Sequence, residues 1–267
     1  MISDRQVVPE SHASHDRFFM MIFSAHRAWN RPKYTHTFAT FVKARSAATD
    51  ETRTEHGTEP ALNPCSTRGS PLETHTVSWL AANKKVCLFR LWPEPGYNFD
   101  LATSLEWALS VQSRISMWGP FEIKPALYAK ALVQKARLES GAIQYKVFDP
   151  GFRPHSACSC IHGVCDIDQD HGPLWTWFRY GESASRSIAV YFLPWVIDPH
   201  QNNRWVMDRL DLAKYPIIHR QLSASEFANI SGSNWLDSAT PTRSVSEANG
   251  HDGHVVGFRR ILAHASG

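Results

Sequence analysis

The stretch Ala157-Cys158-Ser159-Cys160-Ile161-His162-Gly163-Val164-Cys165 gathers three of the five cysteines of this chain within eight residues. Only the thiolate of cysteine is a good nucleophile, and an ordinary thiol, with a pKa of about 8.5, needs help to reach that form near neutrality. Pro154 to Ser159 reads as loop and an apolar stretch follows. Cys160 is therefore expected to open a short helix, its sulfur facing backbone N–H groups that no helical carbonyl claims. Such a nucleophile needs an imidazole to take its proton and hand it to the leaving group, and a further polar group to fix the imidazole's tautomer. His36 and His75 are the candidates. Each is expected at the start of a strand with threonine beside it, so pairing those strands would bring the two rings together at one sheet edge. The expected catalytic set is Cys160, His36 and His75. The plainer alternative is a tight turn of small buried cysteines, with strand-end histidines in ordinary hydrogen bonds.

The same cluster has a second chemistry. Cys158, Cys160, His162 and Cys165, with His155 and His171 nearby, form an inventory for zinc or for a redox protein. Structural zinc sites pair two close ligands with a distant second pair, whereas here every candidate is crowded into one stretch, so the spacing speaks against a metal and no cofactor is expected. The acidic pairs Glu94 with Asp100 and Asp166 with Asp168 read as solvated loop residues, and the chain has no glycine-rich phosphate loop and no G-x-S-x-G elbow.

The elements that must position these residues are legible as patterns. The run 17–25 is short, apolar and aromatic, and reads as a buried strand. Residues 35–44 alternate β-branched and aromatic side chains, so His36, Phe38, Thr40 and Val42 share one face of a second strand. Residues 74–80 and 86–92 read as two more strands, with a turn at 93–96. Asp100 is expected to cap a helix over 101–113. Pro125 and Gly141 suit the first turn and the C-terminal cap of another. A short strand is expected at 144–148, further strands at 175–180 and 188–196, and a last one at 254–262. The fold class expected is α+β, a mainly antiparallel central sheet with packed helices. A loose lead over 1–16 precedes one domain over 17–222. A long polar loop interrupts that domain at 45–72, and a polar, partly mobile segment follows over 223–267.

Composition bounds the rest. In 267 residues, 43% are hydrophobic and ten are tryptophan, enough for a thick core. The net charge of +3 is scattered, its longest basic clusters being pairs, so a nucleic-acid partner is not expected. The strongest apolar run, 18–23, is too short to span a membrane and lacks the basic start of a signal peptide. Read from Met1 the protein is expected to be soluble and cytoplasmic, and periplasmic if translation starts upstream.

The order of these elements carries a resemblance. A strand begins His36-Thr37-Phe38; far downstream come Gly119-Pro120-Phe121-Glu122-Ile123, the 125–140 helix, a short strand and a cysteine at a helix start. This order, histidine first and cysteine last, resembles the circularly permuted papain-like proteins of the NlpC/P60 superfamily, nearest to the bacterial DUF4105 type, over residues 17–170. It departs at Ser159, where that type carries asparagine, and in having two extra cysteines. The resemblance implies Cys160 as nucleophile, His36 as base and His75 as orienting group. It implies hydrolysis or transfer at an amide, peptide or thioester carbonyl, with peptides, amides or lipid esters as substrates. A non-catalytic binding module of the same fold is the alternative.

Overall fold

The computed structural model describes residues 16–27, 35–45, 71–86, 92–147, 156–168 and 180–231. The chain divides into two units, Met1–Ser233 and Asn234–Gly267, and the described residues all belong to the first. The expected loop over 45–72, apart from its ends, the expected strand 175–180, apart from Tyr180, and the expected strand 254–262 lie outside the described residues, as does most of 86–92.

The fold is α+β, and its sheets are mainly antiparallel. β1 (Arg17–His26) is the centre of a five-stranded sheet of order β3-β2-β1-β6-β9. Its sequence is apolar on both faces, and Phe19 to Phe23 are all fully buried, because helices cover the sheet on both sides. β2 (His36–Ala44) and β6 (Arg114–Ile123) flank β1 antiparallel, and β3 (Leu72–Val77) adds to β2 in the same sense. β9 (Ile217–Arg220) is the exception, pairing parallel with β6. A second sheet follows the order β4-β5-β7-β8, of Trp79–Ala81, Glu94–Asn98, Gln144–Tyr145 and Ala157–Cys158.

The period of two along β2 sorts the helices. The ring of Trp107 in α1 (Leu101–Ser110) meets His36 edge-on at 5.5 Å. Ser185 in α4 (Gly181–Tyr191) meets Thr37 at 2.9 Å. Neighbouring residues of a strand point to opposite faces, so α1 and α4 cover opposite faces of the sheet. Tyr128 of α2 (Pro125–Glu139) packs on Phe18, the partner of Lys43, on the α4 side. α3 (Cys160–Cys165) packs against both β2 and α4. Trp205 of α5 (Trp205–Arg209) packs on Phe19, and α6 (Ala224–Ser231) ends the described chain.

Several expectations need correction. Residues 188–196 are not a strand: they complete α4 and pass into a single 3-10 turn. Ile188 and Ala189 are buried as one face of an amphipathic helix, a short apolar run that period alone does not separate from a strand. Residues 94–96, expected as a turn, belong to β5, and 224–231, expected in a mobile segment, are helical. β6, one of the central strands, was not anticipated, because Gly119 and Pro120 sit within it as breaker residues. Asp168 is not a solvated loop residue. It is 1% exposed, and its carboxylate accepts from Lys130 Nζ at 2.8 Å and Trp195 Nε1 at 2.6 Å, tying α2 and the turn after α4 to the end of α3. Glu94 is buried as well.

Two glycines set how closely the layers approach. A Cβ on Gly96 would lie 2.0 Å from Trp79 Cζ2, and one on Gly163 would lie 3.0 Å from Trp79 Cβ. The Trp79 indole is thus pressed against β5, and α3 rests on the same residue through Gly163. Trp79 is fully buried and has nowhere to retreat. Gly96→Ala is therefore expected to cost about 2–4 kcal/mol of stability. Gly163→Ala should cost less, because its contact is tight without being prohibitive. Urea unfolding of the two variants against the parent protein measures both.

Candidate active site

Cys160 stands where the sequence places it, as the first residue of α3. Ser159 is the N-cap, its hydroxyl accepting from His162 N–H at 3.3 Å. The Cys160 thiol is buried, and its pKa is pushed up to about 11 by that burial, against the pull of the backbone N–H groups of Thr37, Ile161 and Cys160 itself. Thr37 is the informative donor, because it follows His36 in the chain. β3 pairs with β2 only from Ala39 onward, so the stretch of β2 at 36–38 lacks a β3 neighbour, and α3 approaches there. Thr37 is held from its other end too. Ser185 Oγ donates its proton to the Phe23 carbonyl at 3.1 Å, so in the 2.9 Å contact Thr37 Oγ1 is the donor.

His36 is completely buried, and burial lowers its pKa to about 3. Its Nε2 lies 2.8 Å from Ser78 Oγ. Ser78 Oγ lies 2.7 Å from Ser104 Oγ, which lies 2.6 Å from the Asp100 carbonyl. Ser104 Oγ is the donor to the Ser78 hydroxyl as well as to the Asp100 carbonyl, and either partner can donate in the contact between Ser78 Oγ and His36 Nε2. The other ring nitrogen, Nδ1, is buried and has no hydrogen-bond partner.

Ser78 occupies the joint between β3 and β4. Its N–H donates to Asn98 Oδ1 at 2.8 Å, and its carbonyl accepts from Phe99 N–H at 2.9 Å. The Asn98 amide in turn donates to the Thr76 carbonyl and to Glu139 Oε1, both at 2.9 Å. The hydroxyl that holds His36 is thus fixed by the end of β5 and by α2.

His75 is not the group that orients His36. It lies within β3, opposite Phe41, and its Nε2 meets Glu73 Oε1 at 2.8 Å. That contact lowers the Glu73 pKa, the hydrogen bond from His75 being the largest cause. β3 carries His75 along the paired part of β2 and delivers Ser78 at the start of β2 instead. Ser78, Ser104, Asn98 and Thr37 had no signal in the sequence, since lone serines and an asparagine between strands are read as turn or surface residues.

The metal alternative does not assemble. Among the described residues no three of His, Cys, Asp and Glu are placed to hold an ion. Cys158, Cys160 and Cys165 are in no disulfide. In space the cluster disperses: the Cys160 sulfur turns to Thr37, His162 Nδ1 lies 3.4 Å from Ser159 Oγ, and Cys165 Sγ lies 4.0 Å from Asp166 Oδ1. Cys65, Cys87, His155 and His171 lie outside the described residues. No described helix is long and apolar enough to cross a membrane. No protein-family model, curated protein or solved structure matches this chain.

The burial of His36 makes stability depend on pH. A histidine whose folded pKa lies near 3, against 6.5 in the unfolded chain, stays neutral in the fold while the unfolded ring takes up a proton. Its contribution is full above pH 6.5 and is lost as pH falls from there toward 3. Between pH 6.5 and 4.5 the loss should be about 2–3 kcal/mol. The urea midpoint of the parent should fall accordingly, and that of His36→Gln should fall less. Ser78→Ala leaves His36 Nε2 without its partner in the core and should cost about 1–3 kcal/mol at pH 7, read from the same unfolding curves.

Proposed function

We propose that the chain is a cysteine hydrolase or acyltransferase of the circularly permuted papain-like kind, with Cys160 as nucleophile and His36 as base. Ser78 takes the orienting role that the resemblance would give to His75. One observation carries this reading: Ser78 holds the His36 ring through Nε2 and leaves its buried Nδ1 without a partner, while the next residue's N–H binds the Cys160 sulfur. The sulfur is not itself a partner of Nδ1 in this structure, so the proton transfer this reading requires needs the two groups to move together.

In the reaction, the Cys160 sulfur attacks a carbonyl carbon as its proton passes to His36 Nδ1. The S–C bond forms and the bond to the leaving nitrogen, sulfur or oxygen breaks, the leaving group taking the proton from the imidazolium. Water or another acceptor nucleophile then attacks the thioester, gives its proton to Nδ1, and Cys160 recovers it as a thiol. The Cys160 N–H is the nearest donor to the developing oxyanion. Substrates are amides, peptides, thioesters or lipid esters.

The resting pair is neutral. Moving a proton from a thiol near pKa 11 to an imidazole near pKa 3 climbs on the order of 10 kcal/mol, so no thiolate–imidazolium pair forms while both are buried. Substrate or solvent has to reach them first. That burial is also the observation that favours a second reading, a non-catalytic binding module whose cysteine and histidine are structural.

Two measurements separate these readings. Turnover of a panel of nitroanilide, thioester and ester substrates should be lost in Cys160→Ala and in His36→Gln, by about a thousandfold or more. Ser78→Ala should lower kcat with little change in KM. Turnover unchanged in Cys160→Ala, or absent from the parent across the panel, leaves the binding module. Independently, alkylation of Cys160 by iodoacetamide in the resting protein should be slower at pH 7 than that of a free cysteine. It should keep rising toward pH 11.

A further inference from the structure

We propose that the cavity beyond the C-terminal end of β9 binds a small organic anion, a carboxylate or phosphate monoester joined to an apolar chain. This site is separate from Cys160 and His36, neither of which lines it, and the proposal stands whatever their role.

β9 ends at Arg220, whose partner on β6 is Trp118, while β6 runs on through Gly119 and Pro120. The space opened there, of about 630 Å³, lies between that continuation, the segment 199–204, and residues 219–224 with Phe227 of α6. Its size is within the usual range of small-ligand sites. The segment 199–204 is anchored by Asn203, which is buried and donates to the Pro120 carbonyl at 3.4 Å.

The lining has one sign of charge. Arg204, Arg220, His200 and His219 border the cavity, and no carboxylate is among its described lining residues. Glu122 is held by Arg17 through two hydrogen bonds of 2.9 and 2.6 Å, and Glu182 bridges Arg220 at 2.7 Å and His26 at 3.2 Å, so Arg220 is already paired and Arg204 is the cavity's unneutralised guanidinium. Arg204 is exposed and makes no ion pair among the described residues. Its charge acts on His219, whose pKa is lowered first by burial and then by Arg204. Arg204 thus supplies a positive charge that no described carboxylate pairs, with the neutral His219 ring as a second polar group on the lining. An anion seated there accepts the guanidinium's paired N–H groups.

The lining also has an apolar part, Phe121, Met207, Leu222 and Phe227, which inorganic phosphate leaves unused and an alkyl or aryl body fills. Polar head and apolar body together define the ligand class, and the neutral amides of Gln201 and Gln221 allow the head group to be either carboxylate or phosphate.

Calorimetric titration of the full chain with hexanoate, hexyl phosphate, inorganic phosphate and hexyltrimethylammonium tests this. At least one amphiphilic anion should bind at one site per chain, with inorganic phosphate weaker and the cation not binding. The better of the two anions identifies the head group. Arg204→Gln and His219→Asn should each weaken binding by about tenfold. Lys85→Gln, which removes an exposed charge outside the cavity, should leave binding unchanged. Arg204 is exposed, so its replacement should not disturb folding, and a thermal melt of each variant checks this. The proposal fails if neither amphiphilic anion binds below about 10 mM, if hexyltrimethylammonium binds as tightly, or if folded Arg204→Gln binds as the parent does. Inorganic phosphate binding as tightly as hexyl phosphate would overturn the apolar half.

Discussion

The side chain of Asn98 makes the contact on which the rest of the site depends. It accepts from the Ser78 N–H and donates to the Thr76 carbonyl, and so holds the chain at the point where β3 leaves the first sheet and β4 enters the second. Without that departure β3 would continue beside β2, and the backbone at Thr37 would be covered by a strand. With it, the start of β2 lies open to α3. The Thr37 N–H becomes a donor to sulfur, and the Ser78 hydroxyl comes onto the ring of His36. One buried amide thus fixes both partners of the pair.

Close packing does the rest. α3 is too short to hold its own position, being little more than one and a half turns. It is placed by Gly163 resting on Trp79, by the Gln134 amide donating to the Gly163 carbonyl at 3.0 Å, and by the Asp168 cluster at its C-terminal end. Cys160 therefore inherits its position from a tryptophan, a glycine and a buried carboxylate. The glycine in Cys-Ile-His-Gly-Val-Cys lets the helix rest closely on β4, since a Cβ there would lie 3.0 Å from Trp79 Cβ.

Electrostatics sets the resting state. Desolvation acts on Cys160 and His36 in opposite directions, raising one and lowering the other, and in both cases it favours the uncharged form. Both groups rest uncharged, as thiol and neutral imidazole, and Ser78 holds the ring through Nε2. The cationic cavity at the end of β9 is the reverse case. There Arg220 is paired with Glu182, and Arg204 remains exposed to solvent without a described carboxylate partner.

The sequence by itself determined the elements whose patterns are local. The apolar run of β1, the alternation of β2, the Asp100 cap of α1, the Pro125 start of α2 and the Ser159–Cys160 helix start each follow from side chains within a few positions of one another. It also singled out Cys160 and His36, because a thiol at a helix start and a histidine at a strand start are local signals. Their partners were decided only by the tertiary structure. Ser78 replaced His75 because β3 breaks at Val77, and that break depends on Asn98 and Glu139, which lie 20 or more residues away in the chain. β6 was hidden by Gly119 and Pro120, whose breaker character is overridden by pairing with β1 and β9. Residues 188–196 were misread because a short buried apolar run has the same composition in a helix and in a strand. Hydrogen-bond direction, close approach and desolvation are properties of groups brought together from distant parts of the chain, and no local pattern encodes them.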